Sequence, residues 1–381
     1  MELKELRVKI DEIDRELVRL FEARMDVAAG IAAYKREHSL PVLDAGRERD
    51  KMAEIIEHSR SDMQTYVQML YNTVFELSRS YQSDLNRKQS ELYHQVQEAI
   101  ENTPRLFPTT AFVACQGTEG ANSQIAAEKL FKTPKIMYFK SFASVFSAIE
   151  SGFCQYGILP IENSSAGSVK QVYDLMLRHN FSIVRSARLK IDHNLLALPG
   201  TKKEDIREIF SHEQALNQCA GYLEKFGPNV KLTRFENTAM AAEMVAKSGR
   251  HDIAAISSHS CAELYGLKCL EADIQDRDNN YTRFICISKN LEIYPGADRS
   301  TVMMTLPHRP GSLCQALSRF YSLGINITKL ESRPIPERDF QFMFYFDLGT
   351  SVYSDEFGRM INDLDAISEE FRYLGSYSEV I

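Results

Sequence analysis

Two groups of residues could do chemistry. The first is Asn279-Asn280-Tyr281-Thr282-Arg283-Phe284, which leads into the apolar run Phe284-Ile285-Cys286-Ile287. A hydroxyl and a guanidinium side by side at the mouth of a strand can hold a carboxylate and hand over a proton. The second is Arg24, which interrupts the apolar seam Leu6, Ile10, Ile13, Leu17, Leu20, Val27, Ile31, Tyr34. Its steps of three and four mark a long helix that packs on others. A guanidinium in such a seam requires a partner, either a carboxylate on a neighbouring helix or a bound anion. Arg7 and Lys35 flank the seam at equivalent heptad positions, roughly 42 Å apart along a straight helix. They cannot hold one small ligand from the same chain, so a shared ligand would need a second subunit.

The elements that must position these residues follow in order. Leu40-Pro41 ends the first helix, and Asp44 can cap a second that begins at Arg47-Glu48 and runs to about Arg60. A third starts near Asp62, with the stripe Tyr66, Leu70, Thr73, Leu77, Tyr81. Ser78 and Gln82 border that stripe four residues apart, facing either solvent or a polar pocket shared with Arg24. Residues 83–105 are polar and read as the helix's tail and then a linker ending near Thr103-Pro104.

From Ala111 the texture becomes α/β. Short apolar runs (111–115, 136–139, 156–161, 182–189, 195–198, 231–235, 253–256) alternate with helical stretches, which suggests two lobes and a cleft. The polar loops Glu162-Asn163-Ser164-Ser165-Ala166-Gly167 and Ser211-His212-Glu213-Gln214-Ala215-Leu216-Asn217-Gln218 end strands and open helices, where backbone N–H groups face an anion. Gly117–Ser123 is glycine-rich without a phosphate-loop pattern, and His212-Glu213 lacks the second His of a zinc helix. Beyond Pro295-Gly296 the elements run βαββαβ, a ferredoxin-like order.

At 381 residues the chain is long enough for two or three domains. A net charge of −7 gives no bulk attraction for nucleic acid or an anionic membrane. The apolar runs are strand-sized, and the charged amphipathic start is not a signal peptide. Seven Cys without a Cys-x-x-Cys pair suggest reduced thiols in a cytoplasmic protein.

Residues 1–90 resemble the all-helical chorismate mutase family, through Arg7, Arg24, Lys35, Asp44, Arg47, Glu48, Ser78 and Gln82. The resemblance implies an intertwined dimer, with Arg7 supplied by the partner. It also implies rearrangement of chorismate to prephenate: Arg7, Arg24 and Arg47 bind carboxylates, Lys35 and Gln82 donate to the breaking ether oxygen, and Glu48 and Asp44 hold the hydroxyl end and the helix start.

Residues 106–290 resemble prephenate dehydratase, through Glu-Asn-Ser-Ser-Ala-Gly, Ser-His-x-Gln-Ala and Asn-Tyr-Thr-Arg-Phe. One departure is Glu213, where the family commonly has Pro. That family removes carbon dioxide and water from prephenate to give phenylpyruvate. Thr282 would be the proton donor, and Arg283 would bind a carboxylate or fix the Thr. Glu162, Asn163, Ser211 and Gln218 would bind and orient substrate.

Residues 298–378 resemble the ACT regulatory domain. Glu331-Ser332-Arg333-Pro334 matches the phenylalanine-binding motif in full, and Gly311-Ser312-Leu313-Cys314 replaces the companion Gly-Ala-Leu-Val. The resemblance implies feedback inhibition by L-phenylalanine, homodimers or higher homo-oligomers, and no cofactor or metal. The alternatives are a non-catalytic amino-acid sensor, a dehydratase whose helical domain serves only dimerisation, and an arogenate-preferring dehydratase.

Overall fold

The computed structural model describes residues 2–38, 40–85, 90–336 and 338–381. The chain divides into two compact units. One comprises Met1–His94, Arg309–Gly324 and Gly358–Ile367, and the other Gln95–His308, Ile325–Phe357 and Ser368–Ile381.

The chain opens with α1 (Leu3–Glu37), α2 (Ala45–Glu57) and α3 (Gln64–Leu85), followed by α4 (Glu91–Asn102). A capping box between Glu2 and Glu5 starts α1, and the Asp44 side chain accepts from the Arg47 N–H to start α2. Both helices pack on α3, with Ala28, Ala32 and Phe75 buried. The seam of α1 is otherwise open: Ile10, Ile13, Leu17 and Leu20 are 56%, 60%, 53% and 54% exposed. An apolar stripe of that length left to water marks an interaction face.

The linker expected over 83–105 is corrected in part. Residues 86–89 lie outside the described residues, but 91–102 are helical. Tyr93, Val96, Ala99 and Ile100 recur at helical spacing, and Val96 and Ala99 are buried.

The second unit holds β1 (Phe112–Gln116), α5 (Asn122–Leu130), β2 (Lys135–Phe139), α6 (Phe142–Glu150), β3 (Tyr156–Asn163), β4 (Gly167–Ser168), α7 (Lys170–Met176), β5 (Ser182–Lys190), β6 (Asn194–Ala197), β7 (Glu208–His212), α8 (Glu213–Gln218), α9 (Ala220–Leu223), β8 (Lys231–Phe235), α10 (Thr238–Ser248), β9 (Ile253–Ser257), α11 (His259–Tyr265), β10 (Lys268–Glu271) and β11 (Tyr281–Ser288). The chain then runs through β12 (Arg299–Thr305), α12 (Ser312–Ser322), β13 (Asn326–Pro334), β14 (Phe342–Gly349), α13 (Asp355–Ile367), β15 (Glu370–Tyr377) and β16 (Glu379–Val380), so the expected βαββαβ order is present. The strand expected ahead of the Ser211 loop is β7; it is not among the apolar runs because its short buried stretch, Ile209-Phe210-Ser211, sits between charged and polar residues.

Three sheets form. The largest runs β16-β5-β11-β3-β1-β2 with β4 on β3, the second β10-β6-β9-β7-β8, and the third β13-β14-β12-β15. The first two are the two lobes of an α/β domain, each with apolar cores built on its strands. The third sheet is not a free body. Met303, Met343, Tyr345, Leu374 and Tyr377 share one apolar cluster with Val145, Ile183 and Ile285 of the large sheet.

Gly375 of β15 packs directly against the large sheet: its φ is +134°, and an added Cβ would collide with the Ile183 carbonyl. Gly375→Ala should therefore lower the stability of this unit by about 2 kcal/mol or more. Urea unfolding checks this, and an unchanged midpoint would refute it.

Candidate functional site

The α/β domain gathers its polar residues at the carboxyl ends of parallel strands, where open α/β sheets bind ligands. Gln116 ends β1, Asn163 ends β3, His212 ends β7, and Glu236 and Asn237 follow β8. β11 runs antiparallel to β3, so its first residues meet the last of β3, with Thr282 opposite Asn163 and Arg283 opposite Glu162. The register shifts beside them, where Pro160 in β3 has no N–H to donate. Gln116, Asn163, His212, Glu236, Asn237 and Thr282, together with His193, Gln218 and Thr238, line a cavity of about 390 Å³, a volume suited to a small molecule.

One side-chain chain crosses that cavity. Asn163 Oδ1 accepts from the backbone N–H groups of Ser165 (3.0 Å) and Ala166 (2.9 Å). Two N–H donors can only face an oxygen, which fixes the amide's orientation. Asn163 Nδ2 must then donate, to Thr282 Oγ1 at 2.9 Å and to Asn280 Oδ1 at 2.8 Å. Asn280 Nδ2 donates to Gln218 Oε1 at 3.0 Å, and His193 Nε2 lies 2.8 Å from the same oxygen. Because that oxygen accepts, His193 carries its proton on Nε2 and the Gln218 NH2 is left for a ligand. Burial holds His193 below its usual range, against the Gln218 hydrogen bond, so the imidazole is neutral near pH 7. Thr282 Oγ1 is occupied as an acceptor, and its own proton is free to donate into the cavity.

Thr282, Asn163 and Gln218 thus come together as the sequence suggested, while Arg283, Glu162 and Ser211 do not line the cavity. The expectation that Thr282 and Arg283 act side by side on one ligand is corrected by strand geometry: neighbouring residues point to opposite faces. Arg283 is buried on the far face, paired with Asp347 and with Glu162 Oε1 at 3.2 Å. Burial alone would lower its pKa, but the carboxylates of Asp347 and Glu162 outweigh that and raise it. Glu162 pairs with Lys329 as well. Ser211 is fully buried and donates to the Ile256 carbonyl at 2.7 Å. The sequence reading missed Asn280 and His193 as members of the network. Asn280 sits in the quoted motif, whereas His193 carries no local signal.

In the helical unit, Arg24 lies on α1 with its guanidinium 5.6 Å from the Phe75 ring centre. Gln82 Nε2 donates to Ser78 Oγ at 3.3 Å. Arg24 Nη1 and Gln82 Oε1 are buried with no hydrogen-bond partner among the described residues. Glu48 accepts from Arg79 Nη1 at 2.6 Å, and Lys35 Nζ donates to the Val42 carbonyl at 2.6 Å. Asp44 and Arg47 are exposed at the α2 start. Arg7 is exposed on the same continuous helix, roughly 25 Å from Arg24. Arg79 was missed, though Phe75, Ser78, Arg79 and Gln82 share one face at helical spacing.

Of the C-terminal motifs, Gly311 begins α12 with φ +89°, and Ser312 is buried while Leu313 and Cys314 are less so. Glu331 accepts from Ser168 at 2.7 Å, and Arg333 makes a two-pronged pair with Asp174 at 2.8 and 2.9 Å. Ser332 and Pro334 alternate with them as exposed residues of β13.

Comparison with known proteins agrees with this geometry. Residues 113–292 match the family model "prephenate dehydratase", and residues 6–83 match "chorismate mutase type II". The chain is 30% identical to the bifunctional chorismate mutase/prephenate dehydratase of Escherichia coli (strain K12), over 98% of this chain and 95% of that one. It is 36% identical to arogenate dehydratase/prephenate dehydratase 2, chloroplastic, of Arabidopsis thaliana, over 74% of this chain and 76% of that one. The crystal structure of prephenate dehydratase in complex with L-Phe from Arthrobacter aurescens superposes with a TM-score of 0.65 at 28% identity, covering 70% of this chain and 90% of that one. With both halves matched in the same order along a relative of nearly the same extent, the chain belongs to the bifunctional chorismate mutase/prephenate dehydratase family.

Proposed function

We propose that this enzyme rearranges chorismate to prephenate in a mutase domain (1–90) and converts prephenate to phenylpyruvate in a dehydratase domain (106–290). A ferredoxin-like ACT domain (298–378) would bind L-phenylalanine as a feedback inhibitor. The observation that carries the second activity is the polarity of the Asn163–Thr282 hydrogen bond. A Thr hydroxyl is a poor acid in water, but one whose oxygen already accepts an amide N–H can pass its proton to a departing ring hydroxyl while the amide stabilises the developing charge. Carbon dioxide leaves as the ring becomes aromatic. Gln218 orients the substrate through its NH2, Asn280 holds Gln218 and Asn163 in place from behind, and Ser211 supports the β7 strand that carries His212.

For the first activity the support is the pair of unsatisfied atoms at Arg24 and Gln82. A ligand bearing a carboxylate and a hydroxyl would satisfy both, and a turned-over Gln82 amide would donate to the ether oxygen instead. The rearrangement moves no proton, so holding the compact conformer and stabilising the ether oxygen suffices. Arg24, Arg47 and Lys35 would bind and donate, Asp44 and Glu48 (held by Arg79) would position the hydroxyl end, and Ser78 would seat Gln82. Arg7 would come from the partner subunit, since its distance along α1 excludes it from its own chain's site. The exposed α1 seam supports this homodimer.

Chorismate supplied alone, with prephenate and phenylpyruvate followed separately, tests both steps, and a protein that makes neither would refute the reading. Thr282→Ala should stop the sequence at prephenate, with phenylpyruvate formation at least about a hundredfold slower; parental rates would remove Thr282 from the mechanism. Arg24→Ala should suppress the first step by a similar factor while added prephenate is still consumed at the parent rate. L-Phenylalanine at roughly millimolar concentration should slow phenylpyruvate formation through coupling between sites; an unchanged rate would separate Glu331-Ser332-Arg333-Pro334 and Gly311-Ser312-Leu313 from regulation.

A further inference from the structure

Four charges that the cavity does not use form a ring with ion pairs on three of its sides. Glu162 on β3 and Arg283 on β11 are register partners in the large sheet. Asp347 on β14 and Lys329 on β13 are register partners in the C-terminal sheet. The two pairs face each other with signs alternating: Arg283 pairs with Asp347, and Lys329 with Glu162. Glu162 closes the third side to Arg283 at 3.2 Å. Asp347 is seated from behind by Thr301 Oγ1 at 2.7 Å, which in turn lies 2.7 Å from the Tyr377 hydroxyl. Lys329 Nζ also donates to Ser168 Oγ at 3.0 Å, on the short strand that pairs with Glu162 and Asn163.

We infer that Asp347 and Lys329 are positioning residues for the dehydration step, acting through Arg283 and Glu162 on the Asn163–Thr282 pair one residue away. This rests on the dehydratase reading above. Burying the Arg283–Asp347 pair, with side chains 6% exposed on both sides, is a poor way to join two sheets, because apolar side chains of the same volume hold sheets together at least as well. The ring instead specifies geometry. Arg283 cannot slide or rotate without leaving Asp347 unpaired out of water, and Glu162, partly exposed, is tied to both cations. Thr282 directly precedes Arg283 on β11 and Asn163 directly follows Glu162 on β3, so their mutual height, and with it the 2.9 Å hydrogen bond, is set from the far face of the sheet. A loosened ring leaves the cavity walls in place and misplaces the donor, which lowers turnover more than binding.

The test is Asp347→Asn in the full chain. The expected result is a kcat for prephenate consumption at least tenfold below the parent, a KM within about twofold, and a parental mutase rate. Calorimetric titration with prephenate, in a Thr282→Ala background that blocks turnover, should show parental stoichiometry with and without Asp347→Asn. Parental kcat would overturn the proposal. So would a stoichiometry that falls in step with kcat, since that reports unfolded protein. Should Asp347→Asn fail to accumulate as folded protein, Lys329→Met carries the same expectations and the same grounds for rejection. A parent that makes no phenylpyruvate refutes the dehydratase reading itself; an active parent with an unaffected variant refutes only the positioning role.

Discussion

The dehydratase cleft depends on one pinned carboxamide. Asn163 ends β3, and the chain turns back at once so that Glu162 pairs with Ser168 and Asn163 with Gly167. Gly167 has φ +79°, which permits the tight return. The return brings the N–H groups of Ser165 and Ala166 onto the Asn163 oxygen, and everything else follows from that. The amide's nitrogen must face Thr282 and Asn280, Asn280 must present its nitrogen to Gln218, and Gln218 must present its oxygen to His193. A buried network of this kind is useful only when every member is satisfied. Here the chain of donors runs in one direction and leaves two donors, on Thr282 and Gln218, for whatever enters.

The opposite face of the same strands obeys a different constraint. A guanidinium withdrawn from water has to be matched by carboxylate, and Arg283 is matched by two. One comes from its own sheet and one from the C-terminal sheet, whose strands also share the apolar cluster beneath. The motif residues Glu331 and Arg333 on β13 reach Ser168 and Asp174 of the α/β domain in the same way. The C-terminal sheet is therefore part of the mechanical support of the cleft, through ion pairs that hold a register as well as an area.

Much of this was legible in the sequence, for physical reasons that can be named. Periodicity located α1, α2 and α3 and most strands, and motif order placed Asn163, Gln218 and Thr282 around one cleft. The pairing of Thr282 with Arg283 on a single ligand was read too literally, although the period of two along a strand was enough to separate them. Arg79 and α4 were also available from helical spacing. His193, Asp347 and Lys329 were not, because their partners lie between 25 and 167 residues of sequence away, and no local pattern announces such contacts.

The two sites treat an anionic substrate in opposite ways. On the reading proposed above, the helical unit offers Arg24, Arg47 and Lys35, with Arg7 exposed on α1 for a partner's site, as a reaction that only rearranges a dicarboxylate allows. The cleft has no Lys or Arg among the described residues that line it, and Arg283, next to Thr282 in sequence, is committed to the far face. That contrast is what decarboxylation asks for. A cation in direct contact with the ring carboxylate would stabilise it most before the reaction, when its charge is localised, and would raise the barrier to losing it. Neutral amides and a hydroxyl can orient the same group without deepening the ground state, and on the proposed mechanism Thr282 then keeps its proton for the oxygen where charge develops.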